Sequence, residues 1–262
     1  MTWRRSAGLI ALVSLLAGGC GSGNAERVGG RVLTTGSAGG APPGARPSAL
    51  RRPVVHPHRH PPDRRGQLTV QVTRVVPVRA SPGGRVVARL LPRTSFHTVT
   101  IVPVVAERGD WLGVITAALS NGRIGWIAAD TRLVAWRTPW TIVASLRRRQ
   151  IVVRRDGRVV MRFPVAVGGP STPTPTGRFA VTDKLLTNDP SSPYGCCILA
   201  LSAHQPNTPQ GWGGGDRIAI HATDFPETIG TAASLGCLRA PAEEARRLVR
   251  VIPVGTVVTI RA

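Results

Sequence analysis

Alternating apolar and polar positions, the pattern of a half-buried β-strand, recur along the chain from about residue 67. Leu68, Val70 and Val72 place apolar side chains on one face at a period of two. Further along, the pair Asn121-Gly122 lies between two short runs that each contain a tryptophan, which is a strong hairpin signal. Residues 67–136 are therefore predicted to form a small unit of short strands.

A second β-rich unit is predicted over residues 139–262. Asp156-Gly157 forms the turn of its first hairpin, and a later strand over residues 216–221 has alternating apolar positions. One helix is convincing, because Pro241 suits a first helical turn and is followed by acidic residues and then by arginines, in the order that a helix dipole favours. The predicted fold class is mainly β, with this one helix.

The first unit resembles a bacterial SH3-like barrel. The resemblance is carried by GDWLGVI at residues 109–115 and NGRIGWI at residues 121–127, whose spacing is similar to that of the closing strands of such barrels. It implies a module of a kind that often holds wall peptides. Trp111 and Trp126 are interpreted first as barrel core, with a ligand platform as the alternative.

Residues 1–20 resemble a lipoprotein signal peptide. Arg4 and Arg5 precede an apolar stretch at residues 7–17, which is too short to span a bilayer, since that takes about 20 apolar residues. Small residues then lead to Cys20, which in a lipoprotein carries acyl chains that anchor the mature chain to the membrane. The alternative is an ordinary cleaved signal in which this cysteine has no role. Both alternatives predict export, to the outer face of the cytoplasmic membrane or the cell wall.

Residues 21–66 are rich in Gly, Pro, Ser, Ala and Arg and have no apolar period. Such a segment cannot bury enough apolar surface to fold, so a disordered tether is predicted. Its His56, His58 and His60 are not expected to bind a metal, because alternate residues in a Pro-rich coil are poorly preorganised. The chain also has no C-x-x-C pair, so no metal site is expected.

The formal charge of +21 comes from 34 basic residues against 13 acidic ones. Nucleic acid is the first partner that this charge suggests, but the arginines are spread over the chain without aromatic interleaving or a recognisable binding module. No nucleic-acid partner is therefore expected. For an exported protein, the expected polyanions are anionic phospholipid head groups and anionic wall polymers.

One histidine and one cysteine are candidates for nucleophilic chemistry. His221 ends a predicted strand, and Cys237 follows 16 residues later in a turn of small residues. A free thiol has a pKa of about 8.5, so a neighbouring imidazole, helped by the positive end of the helix near Pro241, would activate it. Gly236 lacks Cβ and permits the tight or left-handed backbone of a nucleophile turn. By itself the pair is weak evidence, since a free cysteine is commonly a buried small hydrophobe.

Four motifs in the second unit resemble the catalytic domain of the L,D-transpeptidases, the YkuD-like family. They are TPTGRF at residues 174–179, SPYG at 192–195, IHAT at 220–223 and SLGCLR at 234–239, and they occur in the family's order. The resemblance implies a β-rich sandwich in which the cysteine and the histidine face a cleft. It also implies the formation of 3→3 cross-links between peptidoglycan stem peptides.

The resemblance assigns the catalytic roles. Cys237 matches the family nucleophile and His221 matches its base. Ser234 matches a serine whose backbone carbonyl would orient the imidazole, while Gly236 and Cys237 would contribute oxyanion donors.

Two further positions match residues near the substrate. Tyr194 matches an aromatic position beside the cleft, with simple packing as the alternative. Arg239 matches the motif arginine and would be structural or pair with a carboxylate, with a solvated surface charge as the alternative. The chain departs from the family pattern at Leu235, which replaces a usual histidine, and at Ala222, which replaces a usual glycine. The second change is conservative unless the backbone there requires a positive φ.

Cys196 and Cys197 fall in what resembles a strand after SPYG. Adjacent side chains of a strand point to opposite faces, so two separate packing residues are predicted there and not a disulfide.

The predicted function is a two-step acyl transfer. Cys237 attacks the carbonyl before the terminal D-residue of a tetrapeptide stem, releases D-alanine and passes the acyl group to an amine of a second stem. No metal or organic cofactor is required, and the resemblance implies acylation by carbapenem-type inhibitors. A carboxypeptidase or a protein-to-peptidoglycan ligase on the same site is an alternative, as is a non-catalytic wall-binding lipoprotein in which Leu235 marks a decayed site.

Overall fold

The structure, a computed structural model, describes residues 66–130, 133–187, 189, 191–207 and 215–262. The predicted signal peptide with Cys20, and the tether up to residue 65, lie outside the described residues. Within the described part, no helix has the length and apolarity that crossing a membrane requires.

The first sheet is built from seven short strands. They are β1 (Gln67–Gln71), β2 (Val76–Arg79), β3 (Val86–Leu90), β4 (Ile101–Arg108), β5 (Trp111–Val114), β6 (Gly125–Ala128) and β7 (Val134–Thr138). Their order in the sheet is β3-β2-β6-β5-β4-β1-β7. The predicted hairpin at Asn121-Gly122 is confirmed, since β5 and β6 pair antiparallel on either side of it.

This sheet has its own apolar core, in which the period-two residues of β1 and β2 meet those of β4, β5 and β6. Trp126 is buried, in agreement with its interpretation as core. Trp111 is only half-buried, with the guanidinium of Arg79 5.7 Å from its ring centroid. The SH3-like assignment of residues 67–136 stays a prediction.

The remaining strands build a larger sheet and a two-stranded ribbon. The strands are β8 (Trp140–Ser145), β9 (Gln150–Arg155), β10 (Arg158–Pro164), β11 (Val167–Gly168), β12 (Gly177–Leu186), β13 (Cys197–His204), β14 (Arg217–His221), β15 (Ala232–Ser234), β16 (Leu238–Arg239) and β17 (Val257–Arg261). The larger sheet has the order β10-β9-β8-β17-β12-β13-β14-β16, and β11 pairs with β15 in parallel.

The C-terminal strand β17 completes the larger sheet from its middle. It pairs in parallel with β8 and antiparallel with β12, so it joins the predicted N-terminal hairpin of this unit to the strands that carry the four motifs. The core beneath these strands is a single apolar cluster that includes Phe179, Leu199, Leu201 and Ile220.

One α-helix, α1 (Ala242–Val251), lies in the described residues, as predicted. Pro241 stands at its N-cap, one position before the predicted first turn, and Glu243 and Glu244 occupy that first turn. The helix buries Ala245, Leu248 and Val249, which recur at helical spacing, and it packs against β13. The fold class is therefore mainly β with one α-helix in the described part of the chain, as the pattern of the sequence predicts.

Candidate active site

The register of two parallel strands brings the predicted nucleophile and base together. His221 is the last residue of β14 and lies opposite Arg239 of β16. The same register, continued two residues back, sets Ala219 beside Cys237, and the Ala219 N–H donates to the Cys237 sulfur at 3.4 Å. Alternate residues of a strand share a face, so Ala219 and His221 point the same way and Cys237 joins them there. The thiol and the imidazole are thus diagonal neighbours on one face of the sheet.

The turn that carries Cys237, residues 234–237 (the nucleophile turn), is held by its own hydrogen bonds. The Ser234 hydroxyl donates to the Cys237 carbonyl at 2.6 Å and accepts from the Gly236 N–H at 3.1 Å. Gly236 has a φ of +114°, and a Cβ there would lie 2.9 Å from the Cδ1 of Ile218. The predicted need for glycine at this position is confirmed, for a conformational and a steric reason.

These bonds change the roles predicted for two residues. The Gly236 N–H, predicted as an oxyanion donor, is used inside the turn, which leaves the Cys237 N–H for that role. The Ser234 carbonyl, predicted to orient the imidazole, accepts from the Gly169 N–H at 2.9 Å and from the Thr172 hydroxyl at 3.2 Å. The prediction was wrong in this detail because the pairing of β15 with β11 directs that carbonyl toward the loop after β11.

A different carbonyl orients the imidazole of His221. The Nδ1 of His221 is hydrogen-bonded to the backbone carbonyl of Ala222. A carbonyl can only accept, so Nδ1 carries a hydrogen and the Nε2 of the neutral ring keeps the lone pair that accepts a proton. The backbone of Ala222 itself has an ordinary φ, so its replacement of the family's usual glycine is conservative.

Burial keeps the imidazole neutral. His221 is 4% exposed, and this burial lowers its pKa to about 4. The carbonyls of Ala222 and Tyr194 favour the protonated ring, while the positive charge of Arg239 opposes it. At neutral pH the ring is therefore an unprotonated base.

Burial keeps the thiol neutral as well. Cys237 is 5% exposed, and this burial raises its pKa to about 11, against the opposing effects of the Ala219 N–H and of Arg239. The sequence predicted that the imidazole would activate the thiol with help from the positive end of the helix, and this stays a prediction. With the pKa of the thiol raised and that of the imidazole lowered, both groups are uncharged at neutral pH.

The two predicted substrate-contacting residues lie beside this pair. The ring centroid of Tyr194 is 4.9 Å from that of His221, edge to face, and burial followed by the nearness of Cys237 raises the pKa of the Tyr194 phenol. The guanidinium of Arg239 lies 5.9 Å from the ring centroid of Phe225 and 3.5 Å from the Thr228 hydroxyl. Neither Phe225 nor Thr228 is an anion, so these two neighbours do not neutralise the positive charge of Arg239.

Leu235 is 46% exposed although it is adjacent to a buried glycine and a buried cysteine. Its side chain points out of the nucleophile turn, where the family usually has histidine. The turn's backbone geometry does not depend on this side chain, because Ser234 and Gly236 supply the bonds. The replacement of the usual histidine by Leu235 therefore changes an exposed side chain beside Cys237 and not the fold of the turn.

The structure corrects the prediction for Cys196 and Cys197, which form a disulfide. The prediction placed both in a strand, where neighbouring side chains diverge. In the structure β13 begins at Cys197, and Cys196 is the last residue of the preceding turn, so the alternation rule does not apply. Cys237 remains a free thiol.

Sequence reasoning missed three residues that support the nucleophile turn. The Thr174 hydroxyl donates to the Gly236 carbonyl at 2.8 Å and accepts from the Gly168 N–H at 2.8 Å. Gln205 is 4% exposed, its side-chain amide donates to the Pro173 carbonyl, and its Cβ and Cγ pack against Gly236. Thr174 lies in the motif TPTGRF, so the sequence contained a signal for it. No sequence signal marks Gln205 or Thr172, because their partners are distant in sequence.

Comparison with known protein families gives a match over the second unit. A family model described as YkuD, L,D-transpeptidase catalytic domain, matches residues 139–260. The YkuD protein of Bacillus subtilis, assigned by name to the L,D-transpeptidases, is 34% identical over 122 residues, which are 47% of this chain and 66% of that protein. YqjB of the same organism, assigned by name to the same enzymes, is 33% identical over 129 residues, 45% of this chain and 69% of that protein.

Solved structures give matches of lower similarity. L,D-transpeptidase 3 from Mycobacterium tuberculosis, in complex with a faropenem-derived adduct, is 16% identical with a TM-score of 0.41, covering 53% of this chain and 73% of that chain. The NMR structure of the catalytic domain from E. faecium L,D-transpeptidase is 27% identical with a TM-score of 0.33, covering 46% of this chain and 95% of that chain.

Proposed function

Because the chain belongs to the L,D-transpeptidase family, we propose that it forms 3→3 cross-links between peptidoglycan stem peptides through a Cys237 acyl-enzyme. One observation carries this proposal. The register of β14 and β16 sets an unprotonated imidazole and a free thiol on the same face of the sheet, next to a turn that is shaped by glycine.

In the first step the Cys237 sulfur attacks the carbonyl carbon before the terminal D-residue of a tetrapeptide stem. The thiol proton passes to Nε2 of His221 as the sulfur–carbon bond forms, and the Cys237 N–H donates to the developing oxyanion. His221 then gives the proton to the leaving nitrogen, the carbon–nitrogen bond breaks, and D-alanine departs. The product is a thioester on Cys237.

In the second step an amine of another stem attacks the thioester. His221 accepts a proton from this amine, the new carbon–nitrogen bond forms, and the carbon–sulfur bond breaks. The proton returns to the sulfur, so the enzyme is regenerated with both side chains neutral. The pKa values of both groups in the free structure are compatible with this cycle, because each resting state is the uncharged one.

Two residues are suited to hold the donor stem. Arg239 carries a positive charge next to the reacting pair, and it would bind a carboxylate of the stem. Tyr194 packs edge-on against the catalytic imidazole and would form one wall of the site.

Anchoring and location are part of the same proposal. Export, lipidation at Cys20 and a position at the outer face of the cytoplasmic membrane would bring residues 139–262 to the wall. An intact mass of the mature chain purified from membranes tests this, since two acyl chains on Cys20 are expected and an unmodified N-terminus would contradict it.

A second candidate function has one observation in its favour. Cys237 is almost completely buried, which is the ordinary state of a structural cysteine. In that case the chain would be a wall-binding lipoprotein without catalysis.

Two measurements decide between these functions. Incubation with disaccharide-tetrapeptide is expected to give a cross-linked dimer and free D-alanine, whereas D-alanine without dimer would indicate a carboxypeptidase. Intact mass after carbapenem exposure is expected to show one adduct on the wild type and none on Cys237→Ala. A wild-type protein without adduct, or an adduct that survives Cys237→Ala, would support the non-catalytic candidate.

A further inference from the structure

The first sheet contacts the larger sheet at the end of β13, next to the active site. Asn121, in the turn between β5 and β6, donates its side-chain amide to the His204 carbonyl at 2.6 Å and accepts from the His204 N–H at 2.9 Å. A side-chain amide that bonds both backbone groups of one residue fixes the position and the direction of that residue.

The His204 ring adds a second pair of bonds at the same place. Its Nε2 is 2.9 Å from the Ala117 carbonyl, in the same turn as Asn121, and its Nδ1 is 2.8 Å from a carboxylate oxygen of Asp216. Both partners are oxygen acceptors, one on the first sheet's side and one just before β14. The imidazole thus bridges the first sheet to the segment that leads into β14.

The next residue connects this contact to the nucleophile turn. Gln205 directly follows His204, its N–H donates to the Asp216 carbonyl at 2.7 Å, and its side chain is buried. Its Cβ and Cγ lie 3.3 Å and 3.1 Å from the point where a Cβ of Gly236 would stand. Its amide also bonds Pro173, whose neighbour Thr174 donates to the Gly236 carbonyl at 2.8 Å. Gln205 is therefore a single packed side chain between the contact at His204 and Gly236.

A further hydrogen bond joins the first sheet to the larger sheet. The Thr94 hydroxyl, in the first sheet's loop after β3, donates to Asp183 of β12. Asp183 is fully buried and lies 3.5 Å from the guanidinium of Arg217, the first residue of the strand that ends in His221. The first sheet thus contacts His204, the neighbour of Gln205, and it reaches the strand that ends in His221 through Asp183 and Arg217.

We propose that the first sheet is a positioning element for the nucleophile turn, acting on Gly236 and Cys237 through the contact of Asn121 with His204 and through Gln205. This inference rests on the proposed acyl transfer and adds two positioning residues, His204 and Gln205, to its machinery. A small displacement of a nucleophile is costly, since about 1 Å can change a rate by about a hundredfold.

The test measures acylation of Cys237 by imipenem, with intact mass as readout, in the purified wild type and in variants. Asn121→Ala removes the contact from the side of the first sheet, and Gln205→Ala removes the transmitting side chain. Gln150→Ala is the matched control, because it truncates an amide on β9 that bonds Arg162, five strands from β14 in the sheet order.

We expect Gln205→Ala to lower the maximal acylation rate by about tenfold or more and Asn121→Ala by about threefold to tenfold. The half-saturating imipenem concentration should change by less than about twofold, because the turn is displaced and the binding groups are not. The double variant should acylate no more slowly than Gln205→Ala, since both changes act along one path. Melting temperatures of all variants are measured to separate displacement from unfolding.

Two results would overturn the inference: Asn121→Ala acylating at the rate of Gln150→Ala, or rate losses that multiply in the double variant. If the wild type itself shows no adduct, the proposed function fails, and the inference is decided by alkylation of Cys237 with iodoacetamide. Alkylation should then differ from wild type by about threefold or more in Asn121→Ala and Gln205→Ala but not in Gln150→Ala, and equal rates in all three contradict it.

Discussion

The burial of His221 makes a quantitative prediction about stability and pH. Its pKa is lowered from 6.5 to about 4 in the folded chain, mainly by burial. A base with a depressed pKa resists protonation when folded, so the unfolded chain binds the extra proton first. The stability contributed by the neutral ring is complete above pH 6.5 and is lost as the pH falls toward 4.

The magnitude follows from the two pKa values. Between pH 7.5 and pH 4.5 the unfolded histidine takes up a proton that the folded one, with a pKa of about 4, largely does not. This difference removes about 2 to 3 kcal/mol from the free energy of unfolding. Other groups titrate over the same range, so the quantity to measure is a difference between variants. His221→Gln keeps a donor for the Ala222 carbonyl and does not titrate.

The assay is urea unfolding of the wild type and of His221→Gln at both pH values. The wild type is expected to lose about 2 to 3 kcal/mol more than the variant on going from pH 7.5 to pH 4.5. A difference below about 1 kcal/mol would refute the conclusion that burial holds this imidazole neutral.

Three further predictions concern the nucleophile turn and its surroundings. Gly236→Ala should lower the free energy of unfolding by about 2 kcal/mol or more and suppress acylation. An alanine is strained at φ +114°, and its Cβ would meet Ile218. An unchanged urea midpoint would contradict this prediction. Alkylation of the folded Cys237 should rise about tenfold per pH unit to beyond pH 9, since its pKa is about 11, and a plateau near pH 7 would show a preformed thiolate. Arg239→Gln should raise KM for a tetrapeptide donor by about tenfold with a smaller change in kcat, and an unchanged KM would remove Arg239 from substrate binding.

Several features of this chain were determined by the sequence alone. Strand alternation, the Asn121-Gly122 hairpin and the charge order after Pro241 are local signals, and local backbone preferences sufficed to predict the mainly β fold and its one helix. Gly236 was also predictable, because only glycine tolerates the backbone that a nucleophile turn requires.

Tertiary structure decided everything that depends on partners distant in sequence. The supports that Thr174 and Gln205 give the nucleophile turn depend on such partners. The Ala222 carbonyl that orients His221 and the disulfide of Cys196 with Cys197 join adjacent residues, and there the backbone where a strand ends or begins decides the contact. The same holds for protonation, because the pKa values of His221 and Cys237 are shifted mainly by burial, and burial is a property of the packed fold. Sequence specifies which groups are present; packing decides which of them touch and which are charged.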